Sequence, residues 1–411
     1  MPLDAYVPPE APALDVLQRL RDRVIRPFGR GDGPAVQDDR LERAARATVE
    51  DYVAVPDCAV VTAEIGAAID EWLADETPNA RVLLVALAPC ETRGLVERVA
   101  RERGFECLAE PARGALAEPG NVPGPAFDAS ATGVLAVPRL ERWFLRHRHG
   151  LAPLRALLGE LADTERRCLV GVNSWAWGFA AKAARADLVL PAPLTVRPFD
   201  ARRLRDWLVE LARDDDTADV AFRAMDDDAD VLATDEAGEP VDDFLAELAS
   251  RAHGISWVAW QLWRRGLRTL PVDDEKLERV EGEVEREADA GAPEADDPRT
   301  EAERLEGTAA ARREAAGDSH TMWVVREAPL LLPAGHEHDA CLVLHALLIH
   351  AFLTVAELEL VVPIVGPSGI VRALERAGFV ERAGDGFRCR PAAYPSIRTA
   401  LDDAGYPLPP V

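Results

Sequence analysis

Between residues 80 and 210, short runs that are apolar at every position alternate with stretches in which apolar and charged residues recur at helical spacing. The runs at 81–88, 105–108, 134–137, 168–172 and 187–190 read as strands, and a strand apolar on both faces is a central strand of a parallel sheet. Residues 93–103, 151–161, 179–185 and 201–211 read as the helices between them. Upstream, 14–25 and 39–51 have helical spacing, 58–62 reads as a short strand and 65–73 as a helix. Strand–helix alternation of this kind predicts an α/β fold with a parallel sheet.

The pattern changes after residue 211. Residues 221–234, with AMDDDAD at their centre, read as an acidic hairpin, and 241–270 as helix interrupted at Gly254. Residues 271–318 are highly charged, poor in aromatics and broken by Gly and Pro, the composition of an acidic tether without a core. Beyond it, 322–325 reads as a strand and 340–352, 355–362 and 368–377 as helices. Strands at 379–382 and 387–390 flank Gly384-Asp385-Gly386. Three short helices followed by a two-stranded ribbon is the layout of a winged helix. The divisions expected are an N-terminal helical segment (1–50), an α/β core (51–211), an acidic hairpin with a helical lid (212–270), the linker (271–318) and a winged-helix domain (319–411).

Composition bounds this picture. A chain of 411 residues exceeds one ordinary core, so several domains are expected. The net charge of −25 is local, because residues 211–250 hold 14 acids against 2 bases and 271–318 hold 17 against 7. Only Lys182 and Lys276 occur beside 45 arginines. This acidic, lysine-poor composition resembles that of haloarchaeal proteins, whose surface carboxylates hold water in molar salt, and it weakens charge as a clue to partners. The six cysteines have no short-spaced pair, which disfavours a zinc knuckle or disulfide framework. The first residues lack a signal-peptide layout and no apolar run is long enough for a membrane span, so a cytoplasmic protein is expected.

The candidate chemistry lies at strand ends. A phosphate-binding loop needs glycines, a Lys for the phosphate oxygens and a Ser or Thr for magnesium. The first long strand instead runs into Pro89-Cys90-Glu91-Thr92-Arg93-Gly94, and no Gly-Lys-Ser/Thr occurs in the chain. Thr92 reads as a helix cap or, with Arg93, a weak phosphate contact. The strand at 134–137 ends at Pro138-Arg139 where a magnesium site would have an acid pair, leaving Glu141 as the nearby carboxylate, read first as an ion-pair partner of a neighbouring arginine. Asn173, ending the strand at 168–172, reads either as a polar residue facing that crevice or as the cap of the next helix. The Arg/His block 142–149 reads as a contact surface for an anion or another subunit. His336, His338, His345 and His350 match no metal-site spacing and read as capping and packing residues, so no metal site is assigned. The C-terminal module offers Arg372, Arg376, Arg382, Arg388 and Arg390 for DNA or protein contact. From residue 366 onward it carries 6 bases and 5 acids, without the basic face of a typical duplex reader.

Taken in order, VLLVALAPCETRGLVERVARERGF, VLAVPRLERWFLRHRHGL, CLVGVNSWAWGF and SRAHGISWVAWQLWRRGLR resemble the AAA+/STAND-type P-loop ATPases, in which a nucleotide core is followed by a helical lid and a winged helix. The resemblance places these segments at the Walker A strand–helix, the Walker B strand, the sensor strand and the lid. It implies a P-loop NTPase-like core with lid and winged helix. Gly254-Ile255-Ser256 would stand in the place of a lid Gly-x-Pro, and Arg264 or Arg265 in that of a lid arginine. The Walker lysine and acid pair are missing. The expectation is therefore a catalytically inactive scaffold or regulatory protein with no obligatory cofactor, ATP and magnesium being optional ligands, and with a protein or DNA partner. A DNA-binding regulator and a weak ATPase are the alternatives.

Overall fold

The computed structural model describes residues 1–12, 42–43, 58–77, 80–118, 124–128, 131–212, 221–226, 228–269, 321–365 and 369–411. The helices expected at 14–25 and 39–51 lie largely outside these residues, and so does the tether at 271–318.

A two-residue strand, β1 (Glu42–Arg43), precedes helix α1 (Ala59–Ala74). Then come β2 (Val82–Leu87), α2 (Leu95–Glu102), β3 (Glu106–Cys107), β4 (Leu135–Val137), α3 (Ala152–Asp163), β5 (Cys168–Asn173), α4 (Ser174–Ala183) and α5 (Ala201–Ala212). Strands β2, β5, β4 and β3 form a parallel sheet in that order, with Leu84 facing Val170 and Ala136 facing Leu169 across the ladders. Every residue of β5 is buried, as two-sided coverage by helices requires.

Two expected strands are not strands. Residues 58–62 open α1, whose buried Val61, Ile65, Ile69 and Trp72 mark one helical face; the short run Ala-Val-Val looks the same at the start of a helix as in a strand. Residues 186–188 form a 3-10 turn behind a left-handed Arg185. Sheet pairing instead occurs at Leu194, which exchanges backbone bonds with Leu84 and Ala86 (2.8 Å each) and is bridged on its other side by Pro2. Pro193, lacking an N–H, keeps this edge to isolated bridges.

The chain thus leaves β2 toward one edge of the sheet and returns from β5 to the opposite side of β2. The neighbours β2 and β5 form the topological switch point, outside whose carboxyl ends an open α/β sheet forms its crevice.

A second sheet, ordered β1–β7–β8–β6, joins β6 (Ala221–Ala224), β7 (Leu267–Thr269) and β8 (Thr321–Val324) to β1. The acidic hairpin expected at 221–234 reduces to β6 and a turn bridged at Arg223–Asp230, because β6 takes β8 as its ladder partner, in parallel. Helices α6 (Phe244–Arg251) and α7 (Ser256–Gly266) are separated at Gly254, whose φ of +72° and close approach to the Pro198 ring admit no side chain.

Residues 337–365 and 369–411 form a module of α8 (Glu337–His350), β9 (Leu353–Thr354), α9 (Val355–Val361), α10 (Ile370–Arg376), β10 (Val380–Ala383), β11 (Gly386–Cys389) and α11 (Tyr394–Asp403). Strands β10, β11 and β9 pair antiparallel in that order. Thr354 and Glu357 close a reciprocal capping box at the start of α9. Among the described residues no helix is long and apolar enough to cross a membrane.

Candidate functional site

A cavity of about 300 Å³ opens at the switch point. Its floor is Leu87 and Ala88 after β2 with Val172 and Asn173 at the end of β5, and Glu91, Thr92 and Gly94 form one side. Pro138, Arg139, Glu141 and Arg142, after β4, form another. The remaining wall comes from the C-terminal module: His350, Ala351, Phe352, Ala383 and Arg388. Gly171 keeps the β4 exit close to β5, since a Cβ there would lie 2.1 Å from the Pro138 carbonyl oxygen.

The loop after β2 turns through a left-handed Cys90 and delivers three backbone N–H groups to one place. All three are taken by Glu91: Arg93 donates to Oε1, and Gly94 and Leu95 donate to Oε2 at 3.1 and 3.3 Å. Burial nonetheless raises the Glu91 carboxyl above its usual range, with those hydrogen bonds opposing the shift. Thr92, expected as the helix cap, is exposed, while Gly94 occupies the N-cap position. The longer Glu91 side chain reaches back over the turn and does the capping. Arg93 is exposed and its side chain does not line the cavity.

Beyond β4 the chain enters a 3-10 turn, Leu140–Trp143. Glu141 points inward, is 5% exposed and accepts the Asn173 N–H at 3.3 Å. Burial pushes its carboxyl up to about 7, against the pull of backbone N–H groups and of Arg139 and Arg142. The arginine ion pair expected for Glu141 forms elsewhere. Arg139 lies 2.8 Å and Arg142 3.2 Å from Glu110, the nearest carboxylate that can remain hydrated. Asn173 both caps α4, accepting from the Ala176 N–H at 2.8 Å, and donates through Nδ2 to the Ile349 carbonyl of the C-terminal module at 3.1 Å.

The Arg/His block 142–149 is an intramolecular seam. Trp143, Phe144 and Leu145 are buried, and the Arg146 N–H donates to His350 Nε2 at 3.2 Å. The Arg146 guanidinium reaches His345 Nδ1 at 3.0 Å. Desolvation among these arginines pushes His345 down to about 4 and His350 well below its usual value, so both rings are neutral. Arg113 crosses the same seam to Glu357 at 2.7 Å, with both side chains largely buried. Trp175 Nε1 donates to the Tyr394 hydroxyl at 3.2 Å, and Ser174 donates to the Val411 carbonyl.

The lid residues do not meet the cavity. Trp257 Nε1, at the start of α7, donates to the Pro89 carbonyl at 2.9 Å, but Arg265, two turns further on, pairs with Glu327 at 3.5 Å. Arg264 lies beside it on the same distal turn, roughly 10 Å along the axis from Trp257 at 1.5 Å per residue. Of the module arginines, Arg388 lines the cavity and pairs with Glu381 at 2.5 Å. Arg372, Arg376, Arg382 and Arg390 are exposed, Arg382 with its guanidinium 5.3 Å from the Phe387 ring centre. The cavity therefore gathers Thr92, Glu141, Asn173 and Arg388. The sequence marks Glu91 as a negative charge where a phosphate would dock but not as the cap of its own loop, for which a carboxylate four residues before the first helical residue is the signal. It does not reveal His350 and Phe352 as the far wall.

No protein-family model matches the chain, and no curated protein matches it. Among solved structures, it aligns with a point mutant of Thermotoga maritima RuvB at TM-score 0.28 and 14% identity, over 85% of this chain and 94% of that one. Aeropyrum pernix ORC2, solved as ADPNP–ADP complexes, aligns at TM-score 0.30 and 10% identity over 88% and 98% of the two chains. Aeropyrum pernix ORC1 in complex with DNA aligns at 0.26 and 16% over 87% and 94%. At TM-scores this low the three chains decide nothing about the fold or chemistry of this one.

Proposed function

We propose that this chain is a catalytically inactive P-loop ATPase-like scaffold or regulatory protein, cytoplasmic, whose C-terminal module is a winged helix that contacts a protein partner or DNA. In this reading residues 51–211 are the degenerate core, 212–270 the lid region and 319–411 the winged-helix domain. One observation carries it: the N–H groups that would cradle a phosphate are already bonded to Glu91. No lysine stands in that loop, and Pro138-Arg139 occupies the place of a magnesium-holding acid pair. A magnesium nucleotide does not fit this donor set, because a fixed carboxylate would face its phosphates and no paired carboxylates would face its metal.

The test is calorimetric titration with ATP and magnesium in multimolar KCl, together with a phosphate-release assay. No saturable binding and no turnover are expected. Hydrolysis above background that disappears in Glu141→Gln would overturn the reading.

Exposed Arg372 and Arg376, neither within ion-pair distance of a carboxylate among the described residues, support a second reading: a DNA-binding regulator using α10 and the β10–β11 ribbon. Binding of genomic fragments that persists when both are changed to Ala would exclude α10 as the reader.

A further inference from the structure

The crevice is charged but internally complete. Three arginines line it, and each is held by a carboxylate of the same chain: Arg139 by Glu110 at 2.8 Å with Glu97 at 3.7 Å, Arg142 by Glu110 at 3.2 Å, and Arg388 by Glu381 at 2.5 Å. The fourth set of donors, the N–H groups of Arg93, Gly94 and Leu95, is held by Glu91. Guanidinium groups and converging N–H groups are both donors that bind phosphoryl oxygens. In this crevice both are present, and both are bonded to tethered oxygens.

A further wall residue fits the same pattern. His350 is wholly buried, and its Nε2 accepts from Arg146, so in the neutral ring the proton is on Nδ1. The backbone carbonyl of Glu141 faces the same ring as its hydrogen-bond acceptor, at a geometry looser than that of a full bond.

We propose that the N–H cradle of the crevice is a self-liganded anion site, in which the Glu91 carboxyl takes the position of a phosphate's oxygens, while Glu110 and Glu381, outside the cavity lining, hold the arginines of its rim. This rests on the reading of the core as P-loop-like and inactive, and adds how inactivity is built. An external phosphate is excluded from the cradle by occupancy, since all three of its N–H groups are already bonded to Glu91. The link to the module is direct, because Glu381 and Arg388 belong to the β10–β11 ribbon and Asn173 donates to the end of α8.

Removing the tethered oxygen from the N–H cradle should therefore create a receptor for inorganic phosphate. The full-length chain and its Glu91→Ala variant are titrated with inorganic phosphate at fixed KCl, with binding followed by calorimetry and by thermal unfolding. The expected result is no saturable binding to the unsubstituted chain, and binding to Glu91→Ala at least roughly tenfold tighter, about one charge-assisted hydrogen bond's worth of affinity. Glu91→Ala should melt at lower temperature than the unsubstituted chain, and phosphate, but not added KCl, should restore part of the loss. Should Glu91→Ala fail to fold, Glu91→Gln, which keeps the side-chain length and one acceptor, is titrated in its place with the same expectation. A folded variant that gains no phosphate affinity overturns the self-liganding proposal while leaving the inactive reading intact. Equal phosphate binding by both chains overturns it as well. ATP turnover by the unsubstituted chain would instead defeat the reading on which it rests.

Discussion

Two groups of arginines divide this molecule. Arg113, Arg139, Arg142 and Arg388 face the crevice and the seam between core and C-terminal module, each within 3.2 Å of a carboxylate. Arg372, Arg376 and Arg382 are exposed to solvent on the same module, as is Arg390, which lies 4.0 Å from the Glu381 that holds Arg388. Within the first group Arg113 and Arg142 are largely buried, where an unpaired charge is costly and each partner depends on the other, while Arg139 and Arg388 are 44% and 36% exposed and their pairs count for less. The second is held by little, and contributes to surface chemistry rather than to the fold. An Arg-rich chain can thus be rigid in one place and available in another without any change of residue type.

Breaking the buried pair tests the inner half of that comparison most severely. Arg113→Ala leaves Glu357, 6% exposed at its side chain, without its cation, and should cost about 3–5 kcal/mol in denaturant unfolding. A loss below about 1 kcal/mol would mean that the seam is held by packing alone. Next comes Glu141, whose carboxyl is raised from its ordinary value to about 7 by burial. A raised carboxyl favours the fold while protonated, so its contribution is complete below about pH 4.5 and is lost as pH rises through 7. The shift corresponds to roughly 3 kcal/mol. Glu141→Gln should therefore remain level between pH 4.5 and about 8 where the unsubstituted chain loses stability; parallel profiles would place Glu141 in water. A smaller effect belongs to Thr354→Ala, which removes the side chain that accepts the Glu357 N–H at 3.2 Å. It should cost about 1 kcal/mol, as loss of a helix cap usually does.

The parallel strands were legible because a strand covered on both faces has no polar positions, and β2, β4 and β5 are such runs. The place of the crevice was legible as well, from the abrupt change to polar residues at Pro138 and Asn173. Its contents were not. Glu91 folds back onto its own loop only because Cys90 takes a left-handed conformation, and nothing in the residue type Cys announces that turn. The far wall depends on His350, whose neighbour Ile349 accepts from Asn173 across 176 positions of sequence. Contacts at that separation leave no periodicity to read. The segment 187–190 was misread for a local reason: Leu-Val-Leu has strand composition, but the left-handed Arg185 starts a 3-10 turn and delays pairing until Leu194.

The outer arginines supply the mildest prediction and the one that bears most on function. Arg372 and Arg376 lie a helical turn apart on α10, both exposed, with Val371 and Leu374 buried on the opposite face. Replacing either with Ala removes no packing, so stability should stay within about 0.5 kcal/mol of the unsubstituted chain. If α10 lies against a duplex, each substitution should weaken binding similarly for all sequences and reduce the slope of log affinity against log salt by about 1, the mark of one lost phosphate contact. The slope is the sharper readout, because a protein partner recognised through shape would lose affinity without that regular salt dependence. Fluorescence anisotropy over a KCl series, with the double variant as the end point, separates the two. A slope unchanged by both substitutions would remove α10 from DNA contact. It would leave the outer arginines, like most surface charges, as a solvated face around a module whose working contacts are the internal ones.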